Sequence, residues 1–369
     1  MLKILLYPVS LIYGTLVYFR NRFYDLNILK SKEFDVTVIS IGNITVGGTG
    51  KTPHVEYLIK LLKDNFTVAT LSRGYKRKTK GFLEVTTDSK VSEVGDEPLQ
   101  IKRKFNEVKV TVCENRVDGV EKILESSEGE SPDVILLDDA FQHRRITPVI
   151  NILLIDYNRP VHEDRLLPSG MLRESASQIR RANIIIFTKC PPAEVTPIRR
   201  RIIRNDVGLK PYQDLFFTTY EYEKIKNVYT GKELGNDFYK QHAYAILIVT
   251  GVAFPKLIPE YLKQFSHETE ILKFPDHHYY TEADIHSIRK KLELLKSEKK
   301  IIITTEKDAV RFSESPVPDD QFKKSLYYLP VNVKFLDEEG KTFNKKILNY
   351  VGENKSNLEL HRRKVQVKA

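Results

Sequence analysis

From about residue 35 the chain alternates between short apolar runs and segments of helix length. The runs are DVTVISI (35–41), FTVATLS (66–72), VKVTVC (108–113), DVILLDD (133–139), INILLIDY (150–157) and NIIIFTK (183–189). Nearly continuous apolar runs are what strands need when helices cover both faces of a parallel sheet. The pattern predicts a doubly wound, mostly parallel α/β domain over residues 33–212. After PIRRRIIR (197–204) the texture changes: LFFTTYEYEKIKNVYTGKEL alternates and turns at Gly231, which predicts a β linker over 213–241. Strand and helix patterns resume at YAILIVTG (244–251) and KIIITTEKD (300–308), so a smaller second α/β domain is expected over 242–352. Residues 353–369, ending in HRRKVQVKA, read as a basic tail with no core of its own.

The N-terminal segment, residues 1–32, follows a different pattern. ILLYPVSLIYGTLVYF (4–19) is a largely apolar run between Lys3 and the pair Arg20 and Arg22. It falls short of the roughly 20 apolar residues a spanning helix needs. It also gives way to RNRFYDLN instead of a small-residue cleavage site, which argues against export. Two readings remain: a helix lying in a membrane surface, or a helix packed on the protein's own core. Tyr7, Tyr13, Tyr18, Phe19, Phe23 and Tyr24 beside a basic flank favour the membrane.

Composition sharpens this picture only in part. The 369 residues suffice for two modest domains, and 41% hydrophobic with 29% charged residues is the balance of a soluble globular protein. A net charge of +10 points to an anionic partner, whether nucleic acid, a phospholipid surface or a phosphorylated substrate. Cys113 and Cys190 form neither a metal spacing nor a disulfide framework, which suits a reducing compartment.

Chemistry enters at SIGNITVGGTGKTPHVEYLIKLL (40–62). A predicted strand leads into a glycine-rich turn and Lys-Thr. Val55, Leu58, Ile59 and Leu62 then follow at the spacing of one buried helical face. Pro53 suits the first turn of that helix. Thr45, Val46, Gly47, Gly48, Thr49, Gly50, Lys51 and Thr52 are therefore the candidate nucleotide cradle. The glycines let backbone N–H groups point at phosphates; Lys51 reaches the β- and γ-phosphates, and the Thr52 hydroxyl is a ligand for Mg²⁺. The alternative is a glycine-rich turn that merely lets strand and helix pack closely. Thr45 stands where the general pattern has its first glycine. The GGTGKT core resembles the loops of deviant P-loop ATPases and GTPases, which carry a lysine where this chain has Val46; positive charge must come from elsewhere.

Several acids could complete the site. Asp138 and Asp139 end a predicted strand, at the edge where open α/β sheets bind ligands, and a strand-end Asp is the usual second hold on Mg²⁺; helix capping is the alternative. Gln142, His143 and Arg144 follow at once. Asp96 and Glu97 in EVGDEPLQ precede a helix, where Asp96 reads equally as a cap. Arg173 and Glu174 follow a turn in PSGMLRES, and Arg173 could supply the charge that Val46 does not. LKFPDHHYYTEADI offers Asp276, His277 and His278 ahead of a helix capped by Thr281. A carboxylate and an imidazole together can take a proton from an attacking alcohol.

The set GNITVGGTGKTP, LSRGY, GDEP, LDDAFQH, LPSGMLRE, FPDHH and TEKDAVR, running in order from about residue 37 to 311, resembles the tetraacyldisaccharide 4′-kinase family, the lipid A 4′-kinases of Gram-negative bacteria. The resemblance implies transfer of the ATP γ-phosphoryl group to the 4′-hydroxyl of a tetraacyldisaccharide 1-phosphate, giving lipid IVA. It also implies a monotopic protein with an N-terminal membrane-associated helix on the cytoplasmic face of the inner membrane, with two α/β domains joined by a β linker. Position by position, Lys51 and Thr52 match the phosphate-loop pair, Asp96 the family's proposed catalytic aspartate and His277 its partner. Asp138 and Asp139 match the D-D-x-F-Q-H acids, and Glu174 is a further metal candidate. Arg73, Arg116 and His143 fall where the family lines its nucleotide or headgroup site. Ser175 stands where the family often continues with proline. In this reading Asp96 with His277 accepts the hydroxyl proton, while Lys51, Mg²⁺ and Arg173 stabilise the transferring phosphoryl group. The two residues come from different domains, so closure is expected to assemble them.

The rival is a P-loop GTPase or ATPase that uses hydrolysis as a switch. It requires a base-specific N-K-x-D element, of which TKCP from Thr188 is an incomplete analogue. A second rival is a peripheral membrane or nucleic-acid-binding protein with a vestigial loop; its charge is right, but the interleaved aromatics of a known nucleic-acid module are missing, so no nucleic-acid partner is expected.

Overall fold

The computed structural model describes residues 6–126, 131–241, 243–252, 257–316 and 319–366. The described residues form two sheets. The first contains β1 (Thr37–Gly42), β2 (Val68–Ser72), β3 (Leu83–Glu84), β4 (Lys109–Val112), β5 (Val134–Asp138), β6 (Ile150–Asp156), β7 (Ile184–Thr188) and β8 (Asp214–Tyr222). The second contains β9 (Lys226–Asn227), β10 (Tyr244–Thr250), β11 (Thr269–Lys273), β12 (Lys299–Thr305) and β13 (Leu326–Leu329), after which β14 (Val331–Phe335) returns to the first.

The nine-stranded order is β14-β8-β7-β6-β1-β5-β2-β4-β3, and all neighbours are parallel except the two outermost pairs. β2, β4 and β5 lie on one side of β1 and β6, β7 and β8 on the other, so the strand order reverses around β1. That is where open sheets bind ligands, beyond the carboxyl ends of the strands. Apart from the two-residue edge strand β3, the strands of the first sheet over 33–212 are the predicted apolar runs, largely buried on both faces.

The helices that matter for the site are α1 (Tyr7–Asp25), α2 (Lys51–Leu62), α3 (Asp96–Lys104), α4 (Arg116–Glu125), α5 (Glu282–Glu293), α6 (Glu306–Phe312) and α7 (Glu339–Gln366). α2 lays Val55, Leu58, Ile59 and Leu62 on Ile39 and Ile41 of β1, the face its spacing predicts. Thr281 caps α5 in a capping box with Asp284, as expected.

The second region departs from the expected boundaries. The linker does not stand apart, because β8 joins the first sheet parallel to β7 while β9 pairs antiparallel with β13 of the second. The second sheet ends at Leu329, not near 352, because Val331–Phe335 pairs with β8 and buries Val333 and Phe335 in the first core. The expected tail, 353–369, is helical through its described part, as the C-terminal end of a helix whose earlier turns reach the core. α7 continues to Gln366, packing Phe343, Ile347 and Val351 at i, i+4 and i+8 into the same core, and Asn354 donates to Thr37 Oγ1 at 2.8 Å. Residues 1–5 of the N-terminal segment and 367–369 of the tail lie outside the described residues.

α1 is polar inward and apolar outward. Its buried residues are Ser10 and Asn21, and Tyr13 donates from its hydroxyl to the Arg173 carbonyl at 2.8 Å. Arg144 and Arg180 grip Asp25 at 2.8 and 2.6 Å. Gly14 lies against Leu166, where a Cβ would sit 2.7 Å from Cδ1. Leu11, Ile12, Leu16, Tyr18 and Phe19 face away from the protein; Ile12 and Leu16 are 65% and 66% exposed. Among the described residues no helix is long and apolar enough to cross a membrane.

Candidate active site

The phosphate loop lies between β1 and α2. Thr45 bridges Leu172 in an antiparallel contact, Val46 N–H donates to the Met171 carbonyl at 2.8 Å, and Arg173 N–H donates to the Ile44 carbonyl at 2.7 Å. The PSGMLRE segment thus braces the first half of the loop as a short ladder, which suits the β-branched Thr45 and Val46. The turn proper is left to Gly47 and Gly50, with φ of 95° and 87°. A side chain at Gly50 would also collide with the Tyr220 hydroxyl. Asn43 donates to Thr49 Oγ1 at 2.8 Å, Thr188 Oγ1 donates to the Thr49 carbonyl at 2.9 Å, and Lys189 donates to the Gly48 carbonyl. The lysine of the incomplete TKCP element therefore fastens the loop and pairs with Asp156 at 2.7 Å. Burial pushes His54 down to about 4, so its neutral ring donates from Nδ1 to the Gly50 carbonyl at 2.7 Å.

Asp138 ends β5 opposite Ile41 of β1, at the same sheet edge as the loop. It is fully buried and neither carboxylate oxygen has a hydrogen-bond partner. Burial, reinforced by the nearby Glu97 carboxylate and offset by Lys51, pushes it up to about 7. A buried carboxylate with both oxygens unmet fits a divalent cation, with the Thr52 hydroxyl as the natural companion ligand. Asp139, in left-handed backbone at φ 50°, faces Lys51 at 3.7 Å and Arg173 at 3.0 Å. Burial works to raise its pKa, but Lys51 and Arg173 outweigh it and hold the group ionised.

Asp96 opens α3, and its Oδ2 lies 2.9 Å from His277 Nδ1. The two are already hydrogen bonded in this structure, so the expected closure is not needed to join them. Arg311 donates to the same oxygen through Nε at 2.9 Å and through Nη2. Glu97 N–H donates to Oδ1 at 2.9 Å. His277 itself sits at φ 60°, its N–H donating to the Gly251 carbonyl at 3.3 Å, with the Tyr75 ring 4.8 Å from its own. Gly251 N–H donates to Asp308 Oδ2 at 3.0 Å, and Asp308 Oδ1 accepts from Arg311 at 2.6 Å. The pair thus stands in a cleft lined by Tyr75, Lys76, Asp96, His277, Tyr279 and Arg311, framed by both sheets.

Other expected site residues are placed differently. Glu174 is buried and engaged by Arg20 at 2.8 Å, by Asn21 at 3.3 Å and by Arg181. It anchors α1 and its charge is already matched, as that of Asp139 is by Lys51 and Arg173, so of the three acids expected at a metal only Asp138 has both oxygens unmet. Arg116 is buried too, its guanidinium donating to the carbonyls of Cys113 at 2.9 Å and Asp138 at 3.1 Å, which braces the end of β5. Arg73 is exposed at the end of β2. Burial, then Arg116, Arg145, Arg20 and Arg73, pushes His143 down to about 4, which marks a cationic cluster around a neutral ring. Ser175 caps the short helix Ala176–Arg181 by accepting from Ser177 N–H, a turn that needs no proline. Lys307 and Arg311 were missed as site residues although TEKDAVR was noted; their i, i+4 spacing on one helix face was the available signal.

A glycine-rich loop joining a central parallel strand to a helix, faced by a strand-end aspartate, defines a P-loop nucleotide-binding protein. Residues 2–351 match the family model described as tetraacyldisaccharide-1-P 4′-kinase, and the chain belongs to that family. A tetraacyldisaccharide 4′-kinase of Phocaeicola vulgatus is 46% identical over 358 residues, covering 95% of this chain and 96% of that one. One from Flavobacterium johnsoniae is 42% identical over 354 residues, covering 96% and 98%. A crystal structure of LpxK from Aquifex aeolicus in complex with ATP is 32% identical, with a TM-score of 0.72, and covers 95% of this chain and 100% of that one.

Proposed function

We propose that this chain transfers the γ-phosphoryl group of ATP directly to the 4′-hydroxyl of tetraacyldisaccharide 1-phosphate, giving lipid IVA, with Asp96 as the acceptor of the hydroxyl proton. The activity is that of its family. The observation that carries the residue assignment is the Asp96–His277 hydrogen bond at the start of α3, where the neighbouring Glu97 carboxylate acts on the buried, unmet Asp138. Lys51 and the loop N–H groups cradle the β- and γ-phosphates, and Arg173 supplies the charge that Val46 does not. Asp138 and Thr52 would hold Mg²⁺, which when bound would neutralise charge on the phosphates. Asp96 is a weak base, because Lys307, His277 and Arg311 outweigh the effect of burial and hold it below the usual carboxylate range. It therefore serves late, when the bond to phosphorus has already acidified the attacking hydroxyl, as a loose transition state allows. Transfer from ATP made chiral at the γ-phosphorus is expected to invert configuration; retention would require a phosphorylated protein intermediate and sink the direct route.

The enzyme works at the cytoplasmic face of the inner membrane, lying on the bilayer through α1. Support comes from the outward apolar face of α1, its arginine flank, and a groove of about 300 Å³ beside it lined by Ser10, Leu11, Gly14, Thr15, Tyr18 and Leu166, which suits an acyl chain. The arginines around His143 suit an anionic headgroup. Ile12→Glu with Leu16→Glu is expected to lower flotation with anionic vesicles by about tenfold or more, while melting stays within a few degrees of the wild type. Unchanged flotation would remove α1 from the membrane contact.

A further inference from the structure

Lys307 decides how the Asp96–His277 pair is wired. Its Nζ lies 2.9 Å from Glu97 Oε1 and 3.2 Å from His277 Nε2. Burial works against its charge, but the Glu97 and Asp96 carboxylates outweigh it and raise the group above the ordinary lysine value. It is an ammonium, which has three donors and no acceptor. His277 Nε2 must therefore turn a lone pair toward it. An imidazolium carries N–H at both nitrogens and cannot accept, so the contact is a hydrogen bond only with a ring bare at Nε2 and protonated on Nδ1; the Asp276 carboxylate, which also faces Nε2, stands farther off at 3.9 Å. Nδ1 faces Asp96 Oδ2 at 2.9 Å and donates there.

We propose that Lys307 is a positioning residue that locks His277 in the Nδ1–H tautomer, with Glu97 holding the lysine in place. The inference rests on the reading of Asp96 as proton acceptor and adds what keeps it available. In the other tautomer a bare Nδ1 faces the carboxylate, and the contact survives only if Asp96 is itself protonated and donates. An Asp96 in that state has no capacity to accept the 4′-hydroxyl proton. The lock also occupies Nε2, which leaves the carboxylate, not the ring, as the acceptor. Lys307 and Arg311 lie one turn apart on α6, so one helix of the second sheet region sets both partners: Arg311 grips Asp96 and Lys307 orients His277.

The test uses the full chain, labelled with ¹⁵N-histidine in detergent micelles without ATP or lipid. The His277 ring signals are assigned by their loss in His277→Gln. Long-range ¹H–¹⁵N spectra of the wild type are expected to show a protonated Nδ1 and a bare Nε2. In Lys307→Met the Nε2–H tautomer is expected to appear at comparable population, and in Lys307→Arg, which keeps a donor, the wild-type pattern is expected to persist. In the same variants kcat falls by about tenfold or more for methionine, with KM for ATP changed by less than about twofold, and recovers in part for arginine. A protonated Nε2 in the wild type overturns the proposal, whether or not the methionine variant folds, and so does an unchanged tautomer in Lys307→Met. Failure of Asp96 as proton acceptor shows in turnover alone and leaves the ring spectrum untouched, so the two ideas fail separately.

Discussion

Asp96→Asn is expected to lower turnover by a factor on the order of 10² or more while ATP affinity stays nearly unchanged. The amide has no proton-accepting oxygen of comparable basicity, and it leaves the phosphate loop, Lys51 and Asp138 untouched. The substitution also removes the charge that Arg311 grips through two nitrogens, although Asp308 still pairs with that guanidinium at 2.6 Å. A melting shift of several degrees is therefore expected, and turnover must be compared at a temperature where both proteins are folded. The same pairing carries a pH signature. Burial raises Asp96, but Lys307, His277 and Arg311 lower it further, so its folded pKa lies below the unfolded value near 4. Its contribution to stability is complete above that unfolded value and is lost as pH falls through the folded one. In Asp96→Asn this part of the acid sensitivity is absent. Turnover unchanged with ATP binding intact would remove Asp96 from the mechanism.

Asp138→Asn is expected to have the largest effect on activity and the opposite effect on stability. Removing the buried carboxylate that fits the divalent cation should cost several kcal/mol of transition-state stabilisation, roughly 10³-fold in kcat. Yet the carboxylate has no hydrogen-bond partner for either oxygen, and burial with the Glu97 charge pushes it up to about 7. The folded state therefore binds a proton that the unfolded state releases between about pH 4 and 7. Stability contributed by that proton is complete below the unfolded value and is lost as pH rises through about 7. The asparagine carries no such loss. Thermal melts of the metal-free and nucleotide-free proteins are expected to separate, with the variant gaining on the wild type from pH 5 to pH 8. A variant that melts lower across that range would show that the Asp138 charge is satisfied by contacts other than those seen here.

The apolar runs before residue 190 predicted strands reliably because both of their faces are covered, which leaves a signal independent of register. β14 escaped because Val331–Phe335 alternates on an antiparallel edge and resembles the linker texture. α7 escaped because its charged residues dominate the composition, while Phe343, Ile347 and Val351 spend only one residue in four on the core. The phosphate loop was legible from local spacing, but the reason Thr45 replaces glycine was not, since it lies in a bridge to Leu172 more than a hundred residues away. Asp96 and His277 stood among the candidates by residue type, and the resemblance singled them out as a pair. The i, i+4 spacing of Lys307 and Arg311 puts them on one face of α6, but that this face meets Asp96 and His277 depends on how α6 docks against α3, which the spacing does not encode. Glu174 was misjudged for the same reason: its acid chemistry suits a metal, but Arg20, Asn21 and Arg181 reach it first.

The most direct test is single-turnover transfer from γ-labelled ATP in detergent micelles, with and without tetraacyldisaccharide 1-phosphate, by the wild type and Asp96→Asn at matched nucleotide occupancy. Label is expected on the disaccharide 4′-oxygen with the wild type only, and little inorganic phosphate when the acceptor is omitted. Equal phosphate release with and without acceptor, unaffected by the Asp96 substitution, would contradict the account and favour a hydrolytic switch.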